Sequence, residues 1–206
     1  MRVAILSESQ ADEAALRILV DAALGVRTVV PTGPSLRSRG WPYVRDTFRT
    51  VALALHFRTA ADGLVMVADS NHASVIEDHS KNRLRELQNL ADSIRREMKP
   101  VSGHPPLQIA VGVASPAIEA WLLCKNRAEV SEATWEKGLL EKRDPYTKLA
   151  LKKQLYGVER PSLNMMTQHM VEAAQIASLE LPLLEARFPN GFGSMLAELR
   201  KWRTLT

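Results

Sequence analysis

The sequence is poor in cysteine: Cys124 stands alone among 206 residues. An internal disulfide is therefore excluded, and so is a zinc site built from several cysteine ligands. No apolar run reaches the roughly 20 residues that a membrane-spanning helix needs. Glu8 and Asp12 interrupt the first apolar segment, which is too short for a signal peptide. We therefore expect a cytoplasmic protein with no membrane partner.

Two common nucleotide-binding patterns are also missing. No GxGxxG follows a predicted strand, so a dinucleotide site of the Rossmann type is unsupported. The pattern GxxxxGKS/T is absent as well, which excludes ATP hydrolysis by a P-loop. Any ATPase that acts with this chain is expected to be a separate protein.

The charge balance is mildly basic. Lysine and arginine total 27 against 23 aspartates and glutamates, a net charge of +4. This excess is compatible with a nucleic-acid partner but does not require one. Five arginines fall in one stretch that has few acids: Arg37, Arg39, Arg45, Arg49 and Arg58. Such a stretch either follows a nucleic-acid backbone or forms a solvated face, and both readings stay open.

The first half of the chain alternates short apolar runs with amphipathic segments. Runs rich in Val, Ile and Leu predict strands at 3–6, 27–30, 64–68 and 107–113. Segments with helical spacing between them predict helices at 11–24, 41–56 and 79–99. This order predicts an α/β fold, with a mostly parallel sheet and helices on both of its faces.

The pattern changes after Pro116, beyond which no convincing strand follows. Further helices are predicted near 116–125, 131–141, 145–156, 162–178, 181–188 and 192–203. We therefore divide the chain into an α/β domain over 1–125 and an all-helical extension over 126–206.

Acidic side chains follow three of the predicted strands. Glu8 and Asp12 come after the first strand, Asp69 comes directly after the third, and Glu119 lies on the helix after the last. In open α/β sheets the ligand crevice lies outside the carboxyl ends of the strands. Carboxylates that converge there suit hard divalent cations such as Mg²⁺ or Mn²⁺. The pattern indicates metal-dependent chemistry on a phosphate substrate.

Each acid also has an ordinary structural interpretation. Asp12 suits the first turn of a helix, with Ser9 as its cap. Glu8 reads as a solvated loop acid, and Asp69 as part of a turn. Glu119 reads as a surface position on an amphipathic helix. Whether the four carboxylates meet in space is the assumption on which the metal site depends.

The same residues resemble the motifs of the TOPRIM domain, named for topoisomerases and primases. Its first motif is a strand followed by a glutamate and often by an aspartate four residues later, as in Glu8 and Asp12. Ser9 stands where that motif usually has glycine. Its second motif is a strand followed by Asp-x-Asp, which Asp69 and Asn71 match with asparagine in place of the second aspartate.

Two further segments carry the resemblance. The run 115–123 resembles small TOPRIM-like proteins often encoded beside ATPases in bacterial antiphage systems, and the TOPRIM half of the overcoming-lysogenization-defect nucleases. Those relatives place a glutamate on this helix near the metal site, at the position of Glu119. The run 144–148 is similar to a downstream Asp-Pro-x-x-Lys segment of the small proteins, ending here at Lys148.

The resemblance implies a TOPRIM-like sheet and metal-assisted cleavage of DNA or RNA. The protein would be the effector of a bacterial defence or DNA-maintenance system. The implied ligands of Mg²⁺ or Mn²⁺ are Asp69, Glu8, Glu119 and Asp12, with Asn71 as a neutral ligand. Glu8 is alternatively the general base, and Lys148 would neutralise charge that develops on the phosphate.

Two other classes of function stay open, and Asn71 favours the first of them, because an amide oxygen brings no negative charge to a metal site. One alternative is a catalytically weakened TOPRIM-like module that binds an ATPase partner or nucleic acid without cleaving it. Another is a small-molecule phosphotransfer enzyme or phosphatase on an ordinary α/β sheet. The sequence leaves open DNA against RNA, one metal ion against two, and monomer against homo-oligomer.

Overall fold

Three strands and nine helices form the part of the chain that the computed structural model describes, residues 1–32, 40–76, 82–101 and 104–202. The strands are β1 (Val3–Leu6), β2 (Gly63–Asp69) and β3 (Gln108–Ala114). The helices of the first half are α1 (Gln10–Leu24), α2 (Gly40–Arg58), α3 (Arg83–Glu97) and α4 (Ile118–Leu123). Those that follow are α5 (Glu132–Leu140), α6 (Lys148–Tyr156), α7 (Leu163–Ser178), α8 (Leu181–Arg187) and α9 (Gly191–Trp202). The predicted α/β fold with a helical C-terminal region is confirmed.

The sheet is parallel, with β2 between β1 and β3. Leu6 at the end of β1 lies opposite Met66, and Asp69 at the end of β2 lies opposite Ala114. All three strands therefore end at the same edge of the sheet. The loops that leave this edge carry the candidate site residues.

The predicted strand at 27–30 is wrong as a strand, because only a single bridge joins Arg2 and Val29. Val29 accepts a hydrogen bond from the Val3 amide at 2.9 Å and donates one to the Met1 carbonyl at 3.0 Å. The side chains of Val29 and Val30 are 61% and 66% exposed. Longer pairing would bury little apolar surface, and Pro31 has no N–H to donate.

Apolar side chains cover both faces of the sheet, as expected for parallel strands. Ile5 and Val65 belong to a core shared with α1, α4, α7 and α9. Leu6 and Met66, one residue further along each strand, belong to a core shared with α2 and α3. The strands are thus buried between two helical layers, which leaves their carboxyl edge as a place for polar groups to converge.

The C-terminal helices pack directly on the α/β half. Helix α7 lies along α1, and α9 lies against β3.

The division of the chain at residue 125 stays a prediction. The helices predicted at 79–99 and 192–203 begin or end in residues outside the described ranges. Among the described helices, none is long and apolar enough to cross a membrane.

A buried glutamate fixes the start of α9 against β3. Glu132 accepts hydrogen bonds from the amides of Asn190 at 3.0 Å and Gly191 at 2.7 Å. A Cβ atom added at Gly191 would lie 2.0 Å from the carbonyl oxygen of Val113. The close approach of α9 to β3 therefore requires glycine at this position.

Candidate active site at the carboxyl edge of the sheet

Asp69, the last residue of the central strand, joins three segments at this edge. Its Oδ1 accepts a hydrogen bond from the Ile118 amide at 3.1 Å, at the start of α4. Its own amide donates to Oε1 of Glu8 at 3.0 Å, in the loop after β1. Asp69 is only 8% exposed. The loop after β1, the end of β2 and the start of α4 therefore meet at one carboxylate.

Lys148 supplies the counter-charge. Its Nζ forms an ion pair with Oδ2 of Asp69 and donates to Oδ1 of Asn71 at 3.3 Å. Lys148 is the first residue of α6, where the helix macrodipole disfavours a cation. Burial lowers the pKa of Lys148, but the charge and hydrogen bond of Asp69 together with the charges of Glu119 and Glu8 outweigh this effect, so the net pKa is raised. The placement of this lysine is explained by the carboxylate rather than by the helix.

Asn71 closes the turn that follows β2. Its φ of +52° lies in the left-handed region, which asparagine tolerates better than most residues. Its amide donates to the Pro116 carbonyl at 3.0 Å, and the Ser70 amide donates to the Ala114 carbonyl at 2.7 Å. These bonds tie the turn to the end of β3 and present the Asn71 amide oxygen to Lys148.

The loop beyond this turn is fixed by a helix of the C-terminal half. Glu136 of α5 is buried and accepts hydrogen bonds from Ser74 Oγ at 2.7 Å and the Val75 amide at 2.8 Å. Hydrogen bonds from both halves of the chain therefore hold the loop after β2 in place.

Glu119 lies in the first turn of α4 and is only 3% exposed, so its interpretation as a surface residue is wrong. Its Oε1 accepts a hydrogen bond from the Tyr156 hydroxyl at 3.0 Å and lies 3.8 Å from Nζ of Lys152. Its Oε2 is buried without a hydrogen-bond partner in the described part of the chain. Burial, followed by the charge of Asp69, raises the pKa of Glu119. A buried carboxylate oxygen with no partner favours an additional ligand at this point.

Asp12 and Glu8 face the same cluster. The Ser9 hydroxyl accepts a hydrogen bond from the Asp12 amide at 3.1 Å, so the predicted helix cap is confirmed. Burial raises the pKa of Asp12 to about 8, and the charges of Asp69, Glu119 and Glu8 contribute to the rise. Burial and the charge of Asp69 likewise raise the pKa of Glu8. The charge of Asp69 therefore contributes to the raised pKa of each of the other three predicted acids.

Two members of this site were missed by the sequence analysis although their spacing was available. Lys152 and Tyr156 follow Lys148 at intervals of four residues, which places all three on one face of a helix. That face of α6 meets the acidic cluster, since Lys148 contacts Asp69 while Lys152 and Tyr156 contact Glu119.

Arg83 is a third residue that was missed, and no local pattern identified it. It is the first residue of α3, and its Nη1 donates to the backbone carbonyl of Asp69 at 2.5 Å. Its guanidinium carbon lies 4.1 Å from the ring centroid of Trp41, near the start of α2. The contact joins residues from distant parts of the sequence, so only the fold brings them together.

Two arginines of the arginine-rich stretch, Arg45 and Arg49, pair with acids on α2 and α3. Arg37 and Arg39 lie outside the described residues. Arg45 pairs with Asp46 and Glu86, and Arg49 pairs through two nitrogens with Glu97. Acidic neighbours thus offset the charge of both.

The residues at this edge provide the types of ligand atom that a divalent cation prefers. They offer carboxylate and amide oxygens, and among the described residues the Oε2 of Glu119 has no hydrogen-bond partner. They do not form a ready-made coordination shell: among the described residues, no group of three or more His, Cys, Asp or Glu is arranged to hold a metal ion. Lys148 already occupies Oδ2 of Asp69, so a metal there requires this ammonium to move away.

The raised pKa of Asp12 predicts a pH-dependent stability. Folding moves this pKa from 3.8 to about 8. Between these values the folded protein holds a proton that the unfolded chain has released, so the free energy of unfolding falls as pH rises. We expect Asp12→Asn, which cannot ionise, to lose much of this fall. At pH 8 it should be more stable than the wild type by about 1–3 kcal/mol.

Urea unfolding in metal-free buffer, at about pH 5 and about pH 8, measures this effect. The matched control is Asp92→Asn, which neutralises an exposed acid on α3. Equal pH dependence in the two variants would show that Asp12 is not the source of the effect.

In comparisons with protein-family models, with curated proteins and with solved structures, the chain matched none of them. The fold and the site define an α/β protein in which a parallel three-stranded sheet carries an acidic cluster at its carboxyl edge. Functional assignment therefore depends on the geometry of this site.

Proposed function

We propose that the protein is a TOPRIM-like, metal-dependent nuclease that hydrolyses phosphodiester bonds of DNA or RNA. The observation that carries the proposal is the position of Asp69. It ends the central strand, bonds to Glu8 from the neighbouring strand end, and pairs with Lys148 from α6. Acids and a lysine at one strand edge are the groups that phosphoryl chemistry uses.

Each residue has a distinct role in this proposal. Asp69, Asn71 and Glu119 would hold Mg²⁺ or Mn²⁺. Asp12 would release the proton that it holds at neutral pH and then stabilise the same ion through its charge. When bound, the ion would activate a water molecule and offset charge on the phosphate. Glu8 would accept the proton of that water, for which its raised pKa is suited.

Lys148 and the pair Glu119–Tyr156 complete the roles in the proposal. Lys148, released from Asp69, would stabilise charge on the scissile phosphate. Tyr156 would orient Glu119 through their hydrogen bond, and Lys152 would balance part of its charge. The motif resemblance favours a particular cellular setting. In it the protein would be the effector of a bacterial defence or DNA-maintenance system and would act with a separate ATPase.

A second candidate is a TOPRIM-like module that binds nucleic acid or an ATPase partner without cleaving. Asn71 in place of an acid favours it, and so does the ammonium of Lys148 between Asn71 and Asp69. In this version the lysine permanently replaces the metal ion, and the site has become structural.

Metal binding and cleavage in the wild type and in Asp69→Asn distinguish the two candidates. Asparagine keeps an oxygen for the Ile118 amide but removes the charge, so this variant is gentler than a truncation. We expect calorimetric binding of Mg²⁺ and Mn²⁺ by the wild type, with cleavage of supercoiled plasmid or RNA, and loss of both in Asp69→Asn.

Asp92→Asn again serves as the control and should bind and cleave as the wild type does. Metal binding without cleavage of either substrate would favour the non-cleaving module. No metal binding by the wild type would remove the nuclease proposal.

A further inference from the structure

We propose that Arg83, stacked on Trp41, binds a phosphate group of the substrate beside Asp69. This inference rests on the proposed function, because it assumes that the site acts on a nucleic-acid strand. It adds a phosphate-binding residue that neither the motifs nor the acidic cluster identify.

The position of Arg83 is set by three contacts. Its backbone amide donates to the Ser74 carbonyl at 3.0 Å, which fixes the start of α3 against the loop after β2. Its Nη1 donates to the Asp69 carbonyl at 2.5 Å. Its guanidinium lies against the ring of Trp41. The backbone of Arg83 is fixed, one nitrogen of its guanidinium is hydrogen-bonded, and one face of the guanidinium is stacked. Such a side chain is preorganised for a ligand.

Most of the hydrogen-bonding capacity of the Arg83 guanidinium is unused among the described residues. A guanidinium has five N–H donors, and within the described part of the chain the Asp69 carbonyl is its one hydrogen-bond acceptor. Half-buried polar groups normally find partners, and the fork of an arginine matches the two oxygens of a phosphate. The remaining donors are therefore available to an anion.

The surrounding acids do not account for this arginine. Arg45 and Arg49 on α2 each form an ion pair with a carboxylate. Arg83 forms no ion pair within the described residues. Burial lowers its pKa, and the charges of Glu8, Glu86 and Asp69 offset only part of this effect. Its hydrogen bond goes to the carbonyl of Asp69 instead of the carboxylate, which Lys148 occupies.

Arg83 and Lys148 therefore contact Asp69 from two directions. Both are the first residues of their helices, where the macrodipole disfavours a cation. This repeated departure from the usual helix preference is expected where two cations must flank an anionic group. The guanidinium would hold the phosphate in register while the ammonium of Lys148 moves to it.

Tryptophan fluorescence offers a direct test that needs no cleavage. Trp41 is half-buried, whereas Trp121, Trp135 and Trp202 are at most 2% exposed. A ligand on Arg83 should change the emission of Trp41 and leave that of the others nearly constant. The probes are a short phosphorothioate oligodeoxynucleotide, its RNA counterpart and a mononucleotide, each titrated in EDTA so that no strand is cut.

We expect a saturable change with an oligonucleotide in the wild type and no change in Trp41→Phe. Arg83→Gln should weaken binding at least about tenfold, and Arg83→Lys, which keeps the charge without the fork, by an intermediate factor. Arg96→Gln removes an exposed arginine from the other end of α3, and this control should alter binding less than about twofold. Thermal unfolding by circular dichroism checks that the variants are folded.

Equal binding by wild type and Arg83→Gln would overturn the inference, and so would equal weakening by Arg83→Gln and Arg96→Gln. A mononucleotide that binds as tightly as the oligonucleotides would overturn a nucleic-acid ligand in favour of a small phosphate ester. Oligonucleotide binding that depends on Arg83, in a protein that cuts no strand, would uphold this inference while the nuclease proposal fails. If Arg83→Gln cleaves the strand and binds it as the wild type does, the nuclease proposal would stand and the inference about Arg83 would fail.

Discussion

Lys148→Met should bind Mg²⁺ about tenfold more tightly than the wild type and cleave about 100-fold more slowly. The ammonium of Lys148 occupies Oδ2 of Asp69 and contacts the amide oxygen of Asn71. Its removal frees both oxygens and takes away a positive charge that repels the ion. The same change removes the group that would stabilise charge on the phosphate. Opposite effects on binding and rate are the signature of this lysine in the nuclease proposal.

Calorimetry and plasmid cleavage measure the two effects separately. Lys153→Met is the matched control, because Lys153 lies on the same helix with an exposed side chain that pairs with Glu159. Stability should fall by only about 1 kcal/mol in Lys148→Met, since its side chain is a third exposed and solvent screens the pair. Unchanged metal affinity would mean that Lys148 does not compete for Asp69.

Gly191→Ala should destabilise the protein by about 3 kcal/mol or more, a large effect for one methyl group. The added Cβ would meet the carbonyl oxygen of Val113 at 2.0 Å and an oxygen of Glu132 at 3.2 Å. Because the first of these is backbone inside a buried strand, α9 itself must move. That movement would break the hydrogen bonds that Glu132 accepts from Asn190 and Gly191.

The loss should appear as a fall of roughly 6–12 °C in the melting temperature, measured by circular dichroism. Gly193→Ala is the matched control on the same helix. A Cβ there has its nearest neighbour at an ordinary 3.6 Å, and alanine favours helix over glycine by up to about 1 kcal/mol. This control should be neutral or slightly stabilising. Equal melting temperatures for the two variants would contradict the steric argument.

Local patterns were sufficient to predict most of the fold. The apolar run at 64–68 predicted β2, and the spacing of Leu16 and Leu19 predicted α1, because burial on one or both faces leaves a periodic trace. The segment at 27–30 has the same β-branched composition but little to pack against. Composition alone could not show that its valines would remain exposed.

Some residues of the candidate site could likewise be predicted from the sequence, and others could not. Asp69 and Glu8 were identifiable because strand ends in a parallel sheet meet at one edge. Burial of Glu119 under Tyr156 was not predictable, because it depends on how α6 packs on α4. Arg83 was hidden for the same reason: its stacking partner belongs to another helix.

The hydrogen bonds from the loop after β2 to Glu136 have a consequence for how this chain can change over evolutionary time. The acids come from the sheet half, whereas the lysine beside Asp69 and the glutamate that holds the loop come from the helical half. Neither half carries all the residues of the candidate site. We therefore expect that unrelated helices cannot replace α5 and α6. Substitutions at residues 69–76 should covary with substitutions in these two helices.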